Sequence, residues 1–216
     1  MPRSTAYYLG MLPPPNGIVR ADLNLARQRA KVLRSPRSMI PPQQANGVLP
    51  PFVGSDPING ASQSPYNASP EEFTARFATS PQRVAIAQGW LAHRAALYQL
   101  GFAGGFQWLA GSYCEVMSRE PNDIDVVTFY PAAPGVNFQN LVANHPAVFH
   151  PRQAKLSFKC DAYFIGIANG CALVDLVRYW YSLFAHRRDG TWKGMLQIGL
   201  DPVADAAAAA TLAGRP

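Results

Sequence analysis

The stretch that decides the reading of this chain is Leu109-Ala-Gly-Ser-Tyr-Cys-Glu-Val-Met-Ser-Arg-Glu-Pro-Asn-Asp-Ile-Asp-Val-Val127. A Gly-Ser pair is followed, after ten intervening residues, by Asp-x-Asp inside an apolar run. Gly111 can take a turn conformation closed to other residues and lets an anion approach the backbone, and Ser112 stands where a helix N-terminus would offer unpaired N–H groups. Together they predict a phosphate cradle. Asp123 and Asp125 are two apart on a predicted strand, so their carboxylates share one face while Ile124 and Val126 enter the core on the other. Two acids this close repel unless cations or protons intervene, which is the condition a two-magnesium site exploits. One ion would activate an attacking hydroxyl and the other would hold a triphosphate and its leaving pyrophosphate. The protein would then supply in-line positioning and charge neutralisation, with no need of a histidine base.

Working outward, Ser69-Pro70-Glu71-Glu72 carries a capping serine, a proline at the first helical position and acids in the first turn, which predicts a helix to about Ala78. Ser80-Pro81 opens a second helix in which Val84, Ala87, Leu91, Ala95 and Tyr98 recur at helical spacing, and Gly101 stops it. Beyond it, short apolar runs predict strands near 106–110, 124–130, 156–166 and 192–199. Between them fall predicted helices starting at Ser112, near 137–144, and from about 171 to 186, the last with Leu173, Val177, Tyr181 and Phe184 on one face. The fold class is therefore α/β of the mixed (α+β) kind, a mixed central sheet flanked by helices.

Twelve of the 20 prolines lie in the first 70 residues, and proline neither donates to a ladder nor continues a helix. The predicted organisation is a basic, proline-rich, irregular arm over 1–46 with one short helix near 21–33, a linker over 47–68, a catalytic domain over 69–200 and an alanine-rich tail over 201–216. The tail is helix-capable but too short and too poor in anchors to be stable alone. The net charge of +6 is an N-terminal property: residues 1–50 hold seven basic side chains against Asp22, while the remainder carries 12 basic and 12 acidic residues. Such an arm suits phosphate or carboxylate contacts, on RNA, DNA or an acidic protein surface, and equally a solvated extension. No apolar run reaches eighteen residues and no secretory segment opens the chain, so the expectation is a cytoplasmic protein without a membrane partner. Three cysteines, Cys114, Cys160 and Cys171, without C-x-x-C spacing suggest neither disulfides nor zinc.

Gly-Ser-x10-Asp-x-Asp followed by a later strand acid resembles the signature of the polymerase-beta-like nucleotidyltransferase superfamily. The resemblance implies a nucleotidyltransferase fold and a third carboxylate on a neighbouring strand. In Lys155-Leu-Ser-Phe-Lys-Cys-Asp-Ala-Tyr-Phe-Ile165 that position falls on Asp161, with Asp175 as the fallback. A narrower resemblance spans about residues 47–200: Leu49-Pro-Pro-Phe-Val-Gly, Glu72-Phe-Thr-Ala-Arg-Phe with Pro81-Gln-Arg83, Asn122-Asp-Ile-Asp-Val, and Arg188-Asp-Gly-Thr-Trp-Lys-Gly194. These look like a stand-alone, largely uncharacterised bacterial nucleotidyltransferase-like family whose members are suspected toxin–antitoxin or phage-defence components. The sequence departs from many relatives in having Asn122 rather than serine before the first aspartate, and it has no obvious separate substrate-binding domain.

The expected machinery has three parts. Asp123, Asp125 and Asp161 are the catalytic and metal-ligating acids for Mg2+ or Mn2+. Gly111, Ser112, Arg188 and Lys193 are the candidate contacts to ATP or another nucleoside triphosphate, although basic residues beside a turn such as Asp189-Gly190 are usually solvated. The expected reaction moves a nucleoside monophosphate onto an acceptor hydroxyl, of RNA (a transfer RNA end first) or of a protein, with a small molecule behind both. The alternative is a catalytically inactive binding module, either a toxin–antitoxin partner or a nucleic-acid-binding accessory protein. Glu115 is expected one turn into the helix after Ser112, favouring its dipole. The four histidines show no ligand spacing.

Overall fold

The computed structural model describes residues 40–131, 137–167 and 170–215. The predicted helix near 21–33 and most of the basic arm lie outside them. Contacts divide the chain into Met1–Ser35 and Pro36–Pro216, and every described residue belongs to the second unit.

Two capped helices come first. In α1 (Pro70–Phe77) the Ser69 hydroxyl accepts from the Glu72 N–H and Pro70 occupies the first turn, where its missing N–H costs nothing. In α2 (Pro81–Gln99) Ser80 does the same for Arg83, and Gly101, at φ 84°, follows the Leu100 cap. The buried stripe of α2 is rotated from the predicted one. Val84, Ala87 and Leu91 are buried, but the stripe continues through Trp90, His93, Arg94 and Leu97 while Ala95 is exposed. The cause is Arg94, whose guanidinium is fully buried: Nη1 donates to Gln107 Oε1 (3.0 Å), Nη2 to the Gly199 carbonyl (2.6 Å), and the group lies over the Trp90 ring. A buried charge is tolerated only when so paired.

The sheet has five strands in the order β1-β5-β2-β3-β4: β1 (Tyr66–Asn67), β2 (Phe106–Ala110), β3 (Ile124–Pro131), β4 (Cys160–Ile167) and β5 (Leu196–Gly199). β1 runs parallel to β5 and β3 parallel to β4, whereas β2 is antiparallel to both β3 and β5, so the sheet is mixed. Three helices occupy the β3–β4 crossover: α3 (Phe138–Asn144), α4 (Pro146–Phe149) and α5 (Pro151–Phe158). After β4 come α6 (Cys171–Phe184) and, past β5, α7 (Pro202–Ala213). Alternation splits the sheet's side chains between two cores. On one face Leu109, Ile124, Val126, Ala162, Leu196 and Ile198 pack with α1, α2 and α7; on the other Trp108, Val127, Phe129, Ile165 and Met195 pack under α6.

Four expectations need correction. The helix expected from Ser112 is a single 3-10 turn, Ser112–Cys114, because Glu115 is extended and the Val116 N–H bonds the Gly47 carbonyl instead of a helical partner. The strand expected over 156–166 begins only at Cys160: Pro151 opens α5, and Lys159 ends it in the left-handed region at φ 56°. The strand expected over 192–199 shortens to Leu196–Gly199, since Lys193 and Gly194 donate to Ala185 and Leu49 (each 2.7 Å) rather than to the ladder. The segments expected to be linker and tail are both anchored to the core, the first at its two ends around an exposed stretch at 53–61. Val48, Leu49 and Tyr66 are buried, and the Met195 N–H donates to Ser64 Oγ (2.8 Å). α7 buries Ala208 and Leu212 and is held by Asp205, which receives Arg94 at 2.7 and 2.8 Å and the Tyr98 hydroxyl at 2.6 Å. Among the described residues no helix is long and apolar enough to cross a membrane.

Candidate functional site

Asp125 is the second residue of β3 and Asp161 the second of β4, and the parallel register sets them directly opposite each other. Neighbouring strands lie about 4.8 Å apart, and paired residues point to the same side. Val127 and Ile165 follow on that side, so both acids stand at the strand-start end of the face whose middle is covered by α6. Asp123 precedes β3 by one residue, outside the ladder, and its charge is felt at both Asp125 and Asp161. All three are half-buried.

Gly111 brings the backbone up to this cluster. It sits at φ 81°, a region in which a side chain is strained, and a Cβ there would lie 1.8 Å from Asp125 Oδ2. Ala110 is the register partner of Asp125 across the β2–β3 pair. The Gly111 turn therefore packs against the carboxylate itself, which is a cradle that only glycine permits.

The electrostatics follow from the crowding. The Asp125 carboxyl is raised to about 6, chiefly by desolvation and then by the charges of Asp123 and Asp161. Asp161 is also raised, first by desolvation, although Lys155 and a hydrogen bond from Tyr163 pull the other way. Lys155, on α5, forms an ion pair with Asp123. Its own pKa is raised, first by the hydrogen bond to Asp123. The sequence reading gives Lys155 no role, because it predicts the start of a strand in that segment. The signal of a helix is present in Pro146 and Pro151, each of which occupies a helix first turn.

Three carboxylates with oxygen donors suit a hard divalent cation, the Lys155 ammonium is a cation already standing at Asp123, and glycine at residue 111 keeps a side chain from crowding the Asp125 carboxylate. The donor set thus fits such an ion in chemistry. Its arrangement is not a finished cage: among the described residues no three His, Cys, Asp or Glu side chains form a group ready to hold a metal, and Asp123 is engaged by Lys155.

The predicted triphosphate contacts divide. Gly111 is at the site, and Ser112 follows it in the 3-10 turn, half-buried, without the helix N-terminus expected of it. Lys193 is buried, and its Nζ donates to Glu115 Oε1 (2.6 Å) while Arg187 Nε donates to Glu115 Oε2 (2.8 Å). Glu115 is thus the buried centre of an ion network and has no helix dipole to favour; it consumes the charge on Lys193, which reaches Asp125 only as a lowering influence on its pKa. Arg188 is exposed beside the turn at Gly190, and no hydrogen bond or ion pair ties it to the acids among the described residues. Asp175 is exposed on α6, where it pairs with Arg178, and among the described residues no hydrogen bond or ion pair ties it to the strand acids. His93, buried in α2, donates from Nε2 to the Val148 carbonyl (3.0 Å), and burial lowers it to about 4; it belongs to the aromatic core.

No curated protein and no solved structure matches the chain. Residues 41–199, about three-quarters of the sequence, match one family throughout, from the packed segment before α1 to the end of β5. The chain belongs to that family, the family of unknown function DUF6932.

Proposed function

We propose that this protein is a metal-dependent nucleotidyltransferase of the polymerase-beta-like superfamily. The observation that carries the reading is the register pairing of Asp125 with Asp161 beside the Gly111 turn, with the charge of Asp123 felt at both. Isolated acids on a half-buried strand face are costly. Burial and the neighbouring charges of Asp123 and Asp161 raise the Asp125 carboxyl, a cost that a divalent cation would relieve while supplying a Lewis acid for a triphosphate and its leaving pyrophosphate. The chain's own residues have narrower tasks. Asp125 and Asp161 fix the direction from which an ion is held, Gly111 keeps the approach to Asp125 free of a side chain, and Asp123 completes the donor set. The reaction class moves a nucleoside monophosphate onto an acceptor hydroxyl. RNA is the favoured acceptor, because seven basic side chains lie within the first 50 residues and phosphate contacts are what such a segment offers.

The test is incubation of the full chain with each labelled nucleoside triphosphate, Mg2+, and total RNA or cell lysate, beside Asp125→Asn. Label transferred by the native chain alone supports the reading and identifies nucleotide and acceptor together. A native chain that transfers no label while binding triphosphate supports the second reading, a binding module without turnover. That reading is favoured by one observation, the engagement of Asp123 by Lys155.

A further inference from the structure

Asp125 and Asp161 stand opposite each other at the start of β3 and β4, Asp123 precedes β3 by one residue, and among the described residues the cation that pairs with this group is Lys155, through Asp123. Lys193, the other lysine within electrical reach of Asp125, is committed to Glu115 at 2.6 Å. The site therefore holds three negative groups against one directly paired positive one, and Lys155 feels all three acids.

The placement of Lys155 is fixed by the fold rather than by chance extension of a surface side chain. α5 leads through Lys159, in its left-handed conformation, straight into β4 and Asp161, so the helix is tied to the strand that carries the third acid. Gly89 of α2 is so close to the C-terminal end of α5 that a Cβ would lie 2.3 Å from the Phe158 carbonyl. The helix is thus held on one side by β4 and on another by α2, and it presents Lys155 over the acids. Yet the two partners differ in freedom: the Lys155 side chain is 49% exposed and the Asp123 carboxylate only 15%. The ammonium can swing into solvent; the carboxylate stays where the strand puts it.

We propose that Lys155 is the resident counter-ion of the carboxylate site, an ammonium that holds Asp123 until a divalent cation displaces it, so that metal entry is an exchange of lysine for metal. The proposal rests on the reading of the three acids as metal ligands. Exchange replaces one positive charge by two at a site with three negative ones, and releases the Lys155 ammonium at the mouth of the site.

Two measurements on the full chain test it, neither of which reads turnover. The first is titration with Mn2+, followed by calorimetry, of the native protein, Lys155→Met, Lys155→Arg and Asp125→Asn. Lys155→Met is expected to bind Mn2+ about fivefold more tightly than the native chain, the ratio set by giving up one partly exposed ion pair. Lys155→Arg, which keeps the charge, stays near the native affinity, and Asp125→Asn loses binding. The second is reductive methylation of lysines read by mass spectrometry with and without Mg2+. Lys155 in the native chain becomes more reactive on adding Mg2+, and in Asp125→Asn it does not. Native binding that is lost in Asp125→Asn but unchanged in Lys155→Met, with Lys155 reactivity indifferent to Mg2+, overturns the exchange and leaves the metal reading intact. Absence of Mn2+ binding by both the native chain and Lys155→Met overturns both.

Discussion

Asp125 Oδ2 lies against Gly111 so closely that the smallest side chain at residue 111 would collide with it at 1.8 Å. A positive φ and a carboxylate at van der Waals range are two independent demands for glycine at one position, and each leads to a measurable consequence.

Gly111→Ala is expected to destabilise the fold by about 2 kcal/mol or more, combining the strain of a side chain at φ 81° with displacement of Asp125. In an Asp125→Ala background the Oδ2 and Cγ contacts are gone, and the same substitution should cost about 1 kcal/mol less. Denaturant unfolding of the four proteins measures this coupling directly.

Asp125→Asn should stabilise the metal-free chain. The native carboxyl is raised to about 6 from 3.8, so the folded state takes up a proton before the unfolded state does. The ionised group therefore costs stability at neutral pH, and the cost fades as pH falls from about 6 towards 4. At pH 7 the gain is roughly 1–2 kcal/mol, below the full shift because the residue is only half-buried. Urea midpoints of both proteins at pH 7 and pH 4 check it, with the difference shrinking at the lower value.

His93 contributes with the opposite sense. Burial lowers it to about 4 from 6.5, so on acidification the unfolded state binds the proton first and stability is lost between about pH 6.5 and 4. Its Nδ1 has no partner among the described residues. Compared with His93→Gln, which does not titrate, the native protein should lose about 3 kcal/mol more between pH 7 and pH 4, measured by unfolding at constant ionic strength.

Removing α7's anchor should matter far more than loss of a tail. Asp205→Ala leaves the Arg94 guanidinium buried beneath the sheet without its carboxylate, at a cost of about 3–5 kcal/mol. Truncation after Leu200 should be at least as damaging, because Ala208 and Leu212 lose their burial as well. Thermal unfolding of each variant decides between a docked helix and a dispensable extension.

Lys193→Met is expected to lower stability by about 1–2 kcal/mol, because Glu115 loses one of its two cations and keeps Arg187, while nucleotide affinity, read by fluorescence of a labelled triphosphate, changes little in whatever fraction remains folded. A selective loss of affinity with full stability would instead return Lys193 to the triphosphate.

Much of the fold is written locally. Ser69-Pro70 and Ser80-Pro81 name their helices because capping oxygens and a helical proline act within four residues. The strands β2 and β3 announce themselves by short, mostly apolar runs rich in aromatic and β-branched residues. Asp123 and Asp125 are legible as a same-face pair from alternation alone. Asp161 is placed by resemblance, and its position beside Asp125 depends on a register between strands 36 residues apart, which no local pattern encodes. α5 is hidden because Leu156 and Phe158 imitate a strand start while Leu156 is in fact exposed on a helix.

By itself, then, the sequence determined the caps, the strand alternation, the glycine that a crowded turn requires and the charge asymmetry of its first 50 residues, since these follow from neighbours in the chain. The tertiary structure alone decided that Asp125 and Asp161 stand opposite each other, that Lys155 and not Lys193 is the cation at Asp123, and that Val48, Leu49 and Tyr66 before α1 and Ala208 and Leu212 of α7 are buried in the core. The physical reason is that charges and apolar groups are satisfied by whatever lies nearest in space. For Glu115 that is Lys193, for Asp205 it is Arg94, and for Asp123 it is Lys155, partners between 32 and 111 residues away in the chain.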